Sequence, residues 1–247
     1  TPPPDGVALW HKSLAAQRLP PLRSELTLET TTPVGDKVAM TLHAVANIEP
    51  DGINRMLMAR VTSGGGSLVG TTFLSIEHVG APDDLWMFLP ALSHPKRITS
   101  SNLGDSFIGS EFSFGDLIQP EPDAYTVTVR PTPETIDGEP CWVIEARPKD
   151  PVLERGTGIG REVRWLGVND LLERRTEQYN RRGELEKTQD VRQWAKFGEP
   201  ARWIAQERSI HAVRTGSASV VRFGDIRIEP EVPSGVFNAA MMAERGW

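Results

Sequence analysis

The sequence predicts a mainly β chain, a highly curved antiparallel sheet of about eleven strands wrapped around a small helical insert, with a short helix at each end. Three observations predict it. The run LWMFL (85–89) is apolar at adjacent positions, so both faces of that strand need an apolar partner, and a strand with one wet face would alternate instead. Alternating runs recur with turn signals at short intervals, as in a meander. Few segments read as helical, so the edges of so many strands must be hidden by curvature around a small helical insert.

Each element follows in order. Asp5 can cap a helix over 6–19, where Val7, Trp10 and Leu14 share a face until Pro20 and Pro21 end it. Strands are expected at 24–31, with Leu26 and Leu28 on one face, and at 37–44, with Val38, Met40 and Leu42. The turn EPDGIN (49–54) leads to strands at 54–61 and 71–79, which the flexible loop SGGGSLVG (63–70) separates. LWMFL stops at Pro90 and passes through a basic turn holding His94, Lys96 and Arg97. The chain resumes as a Gly- and Ser-punctuated stretch carrying Phe107, Phe112 and Phe114, with a short helix near 113–118.

Beyond residue 117, AYTVTVR (124–130) alternates and the turn IDGEP leads into CWVIEAR (141–147). Then come REVRWL (161–166), LLERRTEQY (171–179) and, across the hairpin turn NRRGE, LEKTQDVRQWA (185–195). Strands near 202–211 and 217–228 precede a terminal helix in PSGVFNAAMMAERGW. QPEPD (119–123) is the nearest approach to a linker and is too short, so one domain is expected over 1–247 behind a Pro-rich lead-in at 1–5. Long Met, Leu and Trp side chains are expected inside, with Arg, Glu and Gln outside.

Composition narrows the function. Charge is mildly acidic, 27 Lys+Arg against 33 Asp+Glu, which argues against nucleic acid, although Arg174, Arg175, Arg181 and Arg182 form a local basic group. The single cysteine, Cys141, excludes an intramolecular disulfide and a multi-cysteine metal site, and in CWVI it reads as a buried inert thiol. No apolar run reaches the roughly 20 residues that span a bilayer. SGGGSLVG lacks the Gly-Lys-Ser/Thr ending of a phosphate cradle, and in GTGIGR (156–161) Arg161 stands where a dinucleotide fingerprint needs its last Gly. Histidines 11, 43, 78, 94 and 211 are scattered, so no metal and no cofactor are expected.

Ser106 misses the spacing of a nucleophile elbow by one residue, which leaves a Ser106–His78–Asp105 lipid-ester hydrolase as the least favoured alternative to a non-enzyme. Seven tryptophans and six methionines suggest either ordinary core or a hollow for acyl chains. Trp86, Trp142, Trp165, Trp194 and Trp203 are the candidates inside the sheet, with Met56, Met58, Phe73 and Phe88.

The residues LWMFLPAL (85–92), KRI (96–98) and above all DSFIGSEFSFGDL (105–117) resemble the outer-membrane lipoprotein-sorting proteins of LolA-like fold. More narrowly, they resemble the branch often encoded beside RND/MMPL-type exporters. DGEPCWVIEARP (137–148), GREVRWL (160–166) and YNRRGELEK (179–187) add weaker support. Glu111 and Phe114 stand where that family more often has Asp and Tyr, and SHP (93–95) is unusual in the basic turn.

The resemblance implies a LolA/LolB-like half-open barrel whose apolar interior shelters acyl chains, periplasmic location after removal of a signal peptide, and no catalysis. The expected function is a carrier that moves lipids or lipoproteins between inner and outer membrane, with transient membrane contact and an inner-membrane RND/MMPL-type transporter as possible partner. The alternative is a non-transporting adaptor of such an exporter. Met56, Met58, Leu74, Trp86, Phe88, Ile98, Trp142 and Trp165 are the expected ligand-binding residues, with Phe107, Phe112 and Phe114 packing the segment that closes the hollow. Lys96 and Arg97 are the expected rim groups for an anionic headgroup.

Overall fold

The computed structural model describes residues 3–48, 54–229, 232–244 and 247; most of the expected turn EPDGIN lies outside them. Among the described residues, fourteen strands form a single antiparallel sheet. In chain order they are β1 Leu22–Thr31, β2 Lys37–Ile48, β3 Arg55–Gly64, β4 Thr72–Ile76, β5 Asp84–Phe88, β6 Pro95–Ile98 and β7 Tyr125–Val129. They continue as β8 Glu134–Ile136, β9 Glu139–Pro148, β10 Ile159–Gly167, β11 Glu173–Asn180, β12 Leu185–Phe197, β13 Arg202–Ala212 and β14 Ala218–Ile228.

The count exceeds the expected eleven because of the shortest strands. β6 opens on a proline inside what reads as a basic turn, and β8 has only three residues. Two meanders, β1–β6 and β9–β14, join where β14 pairs with β1, for example Leu26 opposite Phe223. β7 pairs with β9 and forms one edge, β6 forms the other, and the sheet stays open between them.

Among the described residues, two α-helices accompany the sheet, α1 (Gly6–Ala16) and α2 (Pro151–Thr157). The Asp5 carboxylate caps α1 by accepting from the Ala8 N–H at 2.7 Å, and the helix ends three residues before its expected limit. Trp10 is fully buried against β7, β9 and β10, its ring 5.2 Å from that of Tyr125. α2 is illegible in the sequence because it spans only seven residues, yet it has a proline in its first turn and an Asp150 cap. The expected C-terminal helix is instead a pair of 3-10 turns, Ser234–Val236 and Ala239–Ala243.

Strand alternation gives the sheet two apolar faces. On the inner face, Met40, Leu42, Ala44, Ala59, Val61, Phe73, Leu85 and Met87 pack against the β6–β7 connection through Leu103, Phe107, Phe112 and Phe114. On the outer face, Val45, Met56, Met58 and Leu74 are covered by Val232, Phe237, Met242 and Trp247 of the C-terminal segment. Arg60 clamps that segment, donating to the Met242 and Glu244 carbonyls while its guanidinium sits 4.5 Å from the Trp247 ring. The doubly apolar β5 therefore has two partners, one made by the central insert and one by the chain end.

Candidate functional site

The central insert, residues 99–119, is a plug built from local hydrogen bonds. Ser106 and Ser113 form a short bridge, Phe107 and Phe112 are joined by a 2.8 Å N–H to carbonyl bond, and Gly109 takes a φ of +76° at the tip. The turn throws Phe107, Phe112 and Phe114 inward. Phe107 meets Phe73 at 5.7 Å between ring centroids, and Phe114 meets both at 6.1 Å. Gly156 of α2 approaches so closely that a Cβ would lie 2.0 Å from the Ser100 carbonyl oxygen, which locks α2 onto the insert.

Polar residues bolt the plug to the far wall. The Asp116 carboxylate accepts from the Ser113 N–H and hydroxyl at 2.7 and 2.8 Å, closing a capping box. It also accepts from the Gln178 and Gln189 amides of β11 and β12 at 2.8 and 2.6 Å. The Glu111 carbonyl accepts from Lys187, and the Glu111 carboxylate accepts from the Ser217 hydroxyl. The DSFIGSEFSFGDL stretch is thus a structural unit whose acids and serines hold three phenylalanines in place.

Cavities remain between plug and sheet, and two of them bear on function. The larger, about 690 Å³, opens among the exposed residues His11, Val79, Arg97, Thr99 and Glu121 and runs inward to Glu162, Arg164, Gln178 and Gln189. Its walls come from β6 as well as β10–β12, which shows how far the sheet curls. The smaller, about 220 Å³, is mainly apolar, lined by Leu22, Leu26, Leu28, Leu42, Leu57, Phe73, Phe107, Phe112, Val221 and Phe223. Its origin is visible in the register. Ala44 lies opposite Ala59, which lies opposite Phe73, and Ala46 lies opposite Leu57. Three alanines on adjacent inward positions of β2 and β3 withhold the side-chain volume that would fill a packed core.

The two cavities share a wall of Leu14, Asp116, Ile118, Gln119, Pro120, Arg164, Glu173 and Arg208. Arg164 donates to Glu162 at 2.7 Å and to Glu173 at 2.6 Å, and its guanidinium stands 4.9 Å from the Trp10 ring. Burial opposes its charge, but the two carboxylates outweigh burial and push its pKa up. Burial also pushes up the Tyr125 phenol beside it, with the Glu162 charge adding to the effect. At the opening, burial pushes the Asp83 carboxyl up to about 6.

The expected ligand-binding residues separate into groups. Phe107 and Phe112 line the apolar cavity, Ile98 lines the larger one, and Phe114 packs behind them. Trp142 lies under α1 with Leu9 and Trp10. Met56, Met58, Leu74, Trp86 and Phe88 line neither cavity, because they project to the outer face beneath the C-terminal segment. Trp165 is also on the outer face, packed with Cys141, Val143 and Val163, and its ring N–H donates to Glu134 of β8. Arg97 sits at the larger opening, paired with Asp84 and 5.6 Å from the Trp86 ring, while Lys96 is exposed and lines neither cavity.

Other expectations are corrected by pairing. Glu162, Arg164, Glu173, Gln178 and Gln189 point inward rather than to solvent, because they satisfy one another and Asp116. Arg174, Arg175, Arg181 and Arg182 each pair with a carboxylate, so they do not form a free basic patch. Ser106 donates to the Ser110 carbonyl, the His78 ring bonds Asp84, and Asp105 accepts from Asn102, so the three form no relay. The Cys141 thiol is fully buried and burial pushes its pKa up. Sequence reading missed Ala44, Ala46, Ala59, Leu26, Phe223, Arg164 and Arg208 as lining residues; the small residues on an otherwise bulky strand face were the available signal.

Among the described residues no helix is long and apolar enough to cross a membrane and no group of side chains is arranged to hold a metal ion. No curated protein matches the sequence. Solved structures share its fold. A domain described as an outer membrane lipoprotein-sorting protein from Vibrio parahaemolyticus aligns at 24% identity and TM-score 0.84, over 97% of this chain and 98% of that one. A DUF1329 family protein from Desulfovibrio piger aligns at 22% identity and TM-score 0.85, over 96% and 97%. A LolA superfamily protein from Nitrosomonas europaea aligns at 17% identity and TM-score 0.71, over 95% and 98%. A family model described as "uncharacterized protein" matches residues 63–244, which hold the plug and the strands from β4 to β14. The chain therefore belongs to that family of uncharacterized proteins, and its fold is the LolA-like one.

Proposed function

We propose that the protein is a carrier that shelters acyl chains of lipids or lipoproteins inside its curled sheet and moves them between membranes in the periplasm. The observation that carries this reading is the apolar cavity of about 220 Å³ under the plug, which shares a wall with a larger cavity that opens to solvent. Apolar walls with an exit suit a ligand that is hidden in transit and then released. Each buried methylene contributes about 0.8 kcal/mol, so one chain inside the sheet binds firmly. The fold shared with lipoprotein-sorting domains supports the same reading.

The lining assigned to this carrier is Leu26, Leu42, Ala44, Ala59, Phe73, Phe107, Phe112 and Phe223. The exporter-adaptor alternative calls for a filled interior, and the two cavities favour the carrier over it. Mass spectrometry of lipids extracted from gently purified protein tests the proposal. Stoichiometric lipid supports a carrier and names its cargo; an empty protein that also refuses added lipids overturns the carrier reading in favour of the adaptor.

A further inference from the structure

Arginines lining these cavities are paired, with one exception. Arg55 holds Glu77, Arg97 holds Asp84, and Arg164 holds Glu162 and Glu173. Arg18 also has a partner. Arg208 of β13 lines both cavities, is half-buried, and among the described residues has no carboxylate within ion-pair distance and no hydrogen-bonded side chain. A guanidinium presents five donors in a planar fork, and those of Arg208 are engaged by no described side chain.

The acids that share that wall with Arg208 are committed elsewhere. Glu173 takes Arg164, and Asp116 takes its four hydrogen bonds from Ser113, Gln178 and Gln189. Arg208 can therefore take an acceptor that arrives from the cavity. Its position also says what the rest of that ligand is. On one side lies the apolar hollow walled by Leu26, Phe73 and Phe223, and at about 220 Å³ that hollow falls below the roughly 300–1,000 Å³ of ordinary ligand pockets. Such a space suits one chain rather than a bundle of them.

We infer that Arg208 is the headgroup anchor for a single-chain anionic amphiphile of the fatty-acid type, held with its chain in the apolar cavity. Its head lies at the wall the two cavities share. The inference rests on the carrier reading and sharpens it, because a multiply acylated lipoprotein anchor offers only neutral esters and amides at that point. Planar, two-pronged contact with the guanidinium suits a carboxylate or a phosphate head, and a neutral alcohol cannot supply it.

The test compares dodecanoate, dodecyl phosphate and dodecanol, each below its micelle concentration, by displacement of a neutral fluorescent probe from the intact chain. The expected result is that at least one of the two anions binds about tenfold or more tightly than the alcohol. The anion that does so identifies the head. In Arg208→Leu the ratio of anion to alcohol affinity is expected to fall to about one, and Arg208→Lys is expected to keep part of it. Equal affinities for anions and alcohol in the unsubstituted protein, or an unchanged ratio in Arg208→Leu, overturn the headgroup assignment and leave the carrier reading standing. Failure of all three to bind overturns the carrier reading and this inference with it.

Discussion

Replacing Arg164 by Leu removes the cation that lies between Glu162 and Glu173, whose side chains are 6% and 5% exposed. Breaking a buried ion pair by deleting one partner costs about 3–5 kcal/mol, because the charges left behind have lost their solvent and their counter-ion. The same change removes the cation facing the Trp10 ring at 4.9 Å, worth about 0.5–2 kcal/mol in a desolvated setting. The expected total is about 4–6 kcal/mol, or roughly 10–20 °C in Tm for a chain of this size. Urea unfolding followed by tryptophan fluorescence measures it. The triple variant Glu162→Gln, Arg164→Leu, Glu173→Gln leaves no unpaired charge and is expected to recover most of the loss. A loss below about 1 kcal/mol in Arg164→Leu, or a triple variant no more stable than the single one, refutes the account of Arg164 as the cation that holds both acids in the wall.

Three more predictions follow from the packing. Ala44→Leu adds volume where the register withholds it, so uptake of a fluorescent fatty acid is expected to fall sharply while cooperative unfolding persists; retained uptake would remove Ala44 from the lining. Trp247→Ala, on the opposite face, is expected to cost about 3 kcal/mol and to increase binding of an apolar dye without weakening fatty-acid uptake, and selective loss of uptake would contradict the assignment of faces. Asp83 is held at about 6 against an ordinary 3.8, so the folded state binds its proton more tightly than the unfolded chain does. The resulting destabilisation is full above pH 6 and is relieved as pH falls toward 3.8. Asp83→Asn keeps the acceptor for the His78 N–H and is expected to stabilise the protein at pH 7 by about 1 kcal/mol after allowance for solvent screening. That gain is expected to vanish near pH 4, and a gain independent of pH would refute the cause given.

Much of this molecule is written locally. Turn residues and alternating runs place most of the strands, Asp5 and Pro20 bracket α1, and LWMFL announces a strand with apolar partners on both sides, which β5 has. The DSFIGSEFSFGDL stretch declares a compact unit, because its turn, bridge and capping box are bonds between near neighbours. Which face of a strand becomes the cavity is a different matter. Side chains alternate with a period of two, so where both faces are apolar the sequence leaves Met56, Met58 and Trp86 equally suited to either side. Their placement was decided by the C-terminal segment, which returns from far along the chain to cover the outer face. The cavity likewise depends on Ala44, Ala46 and Ala59 becoming neighbours across two strands, and the inward charges depend on Glu162, Arg164 and Glu173 meeting across β10 and β11. Local periodicity determined the elements of this protein; contacts between distant segments decided where it is hollow, because volume and charge balance only when those segments meet.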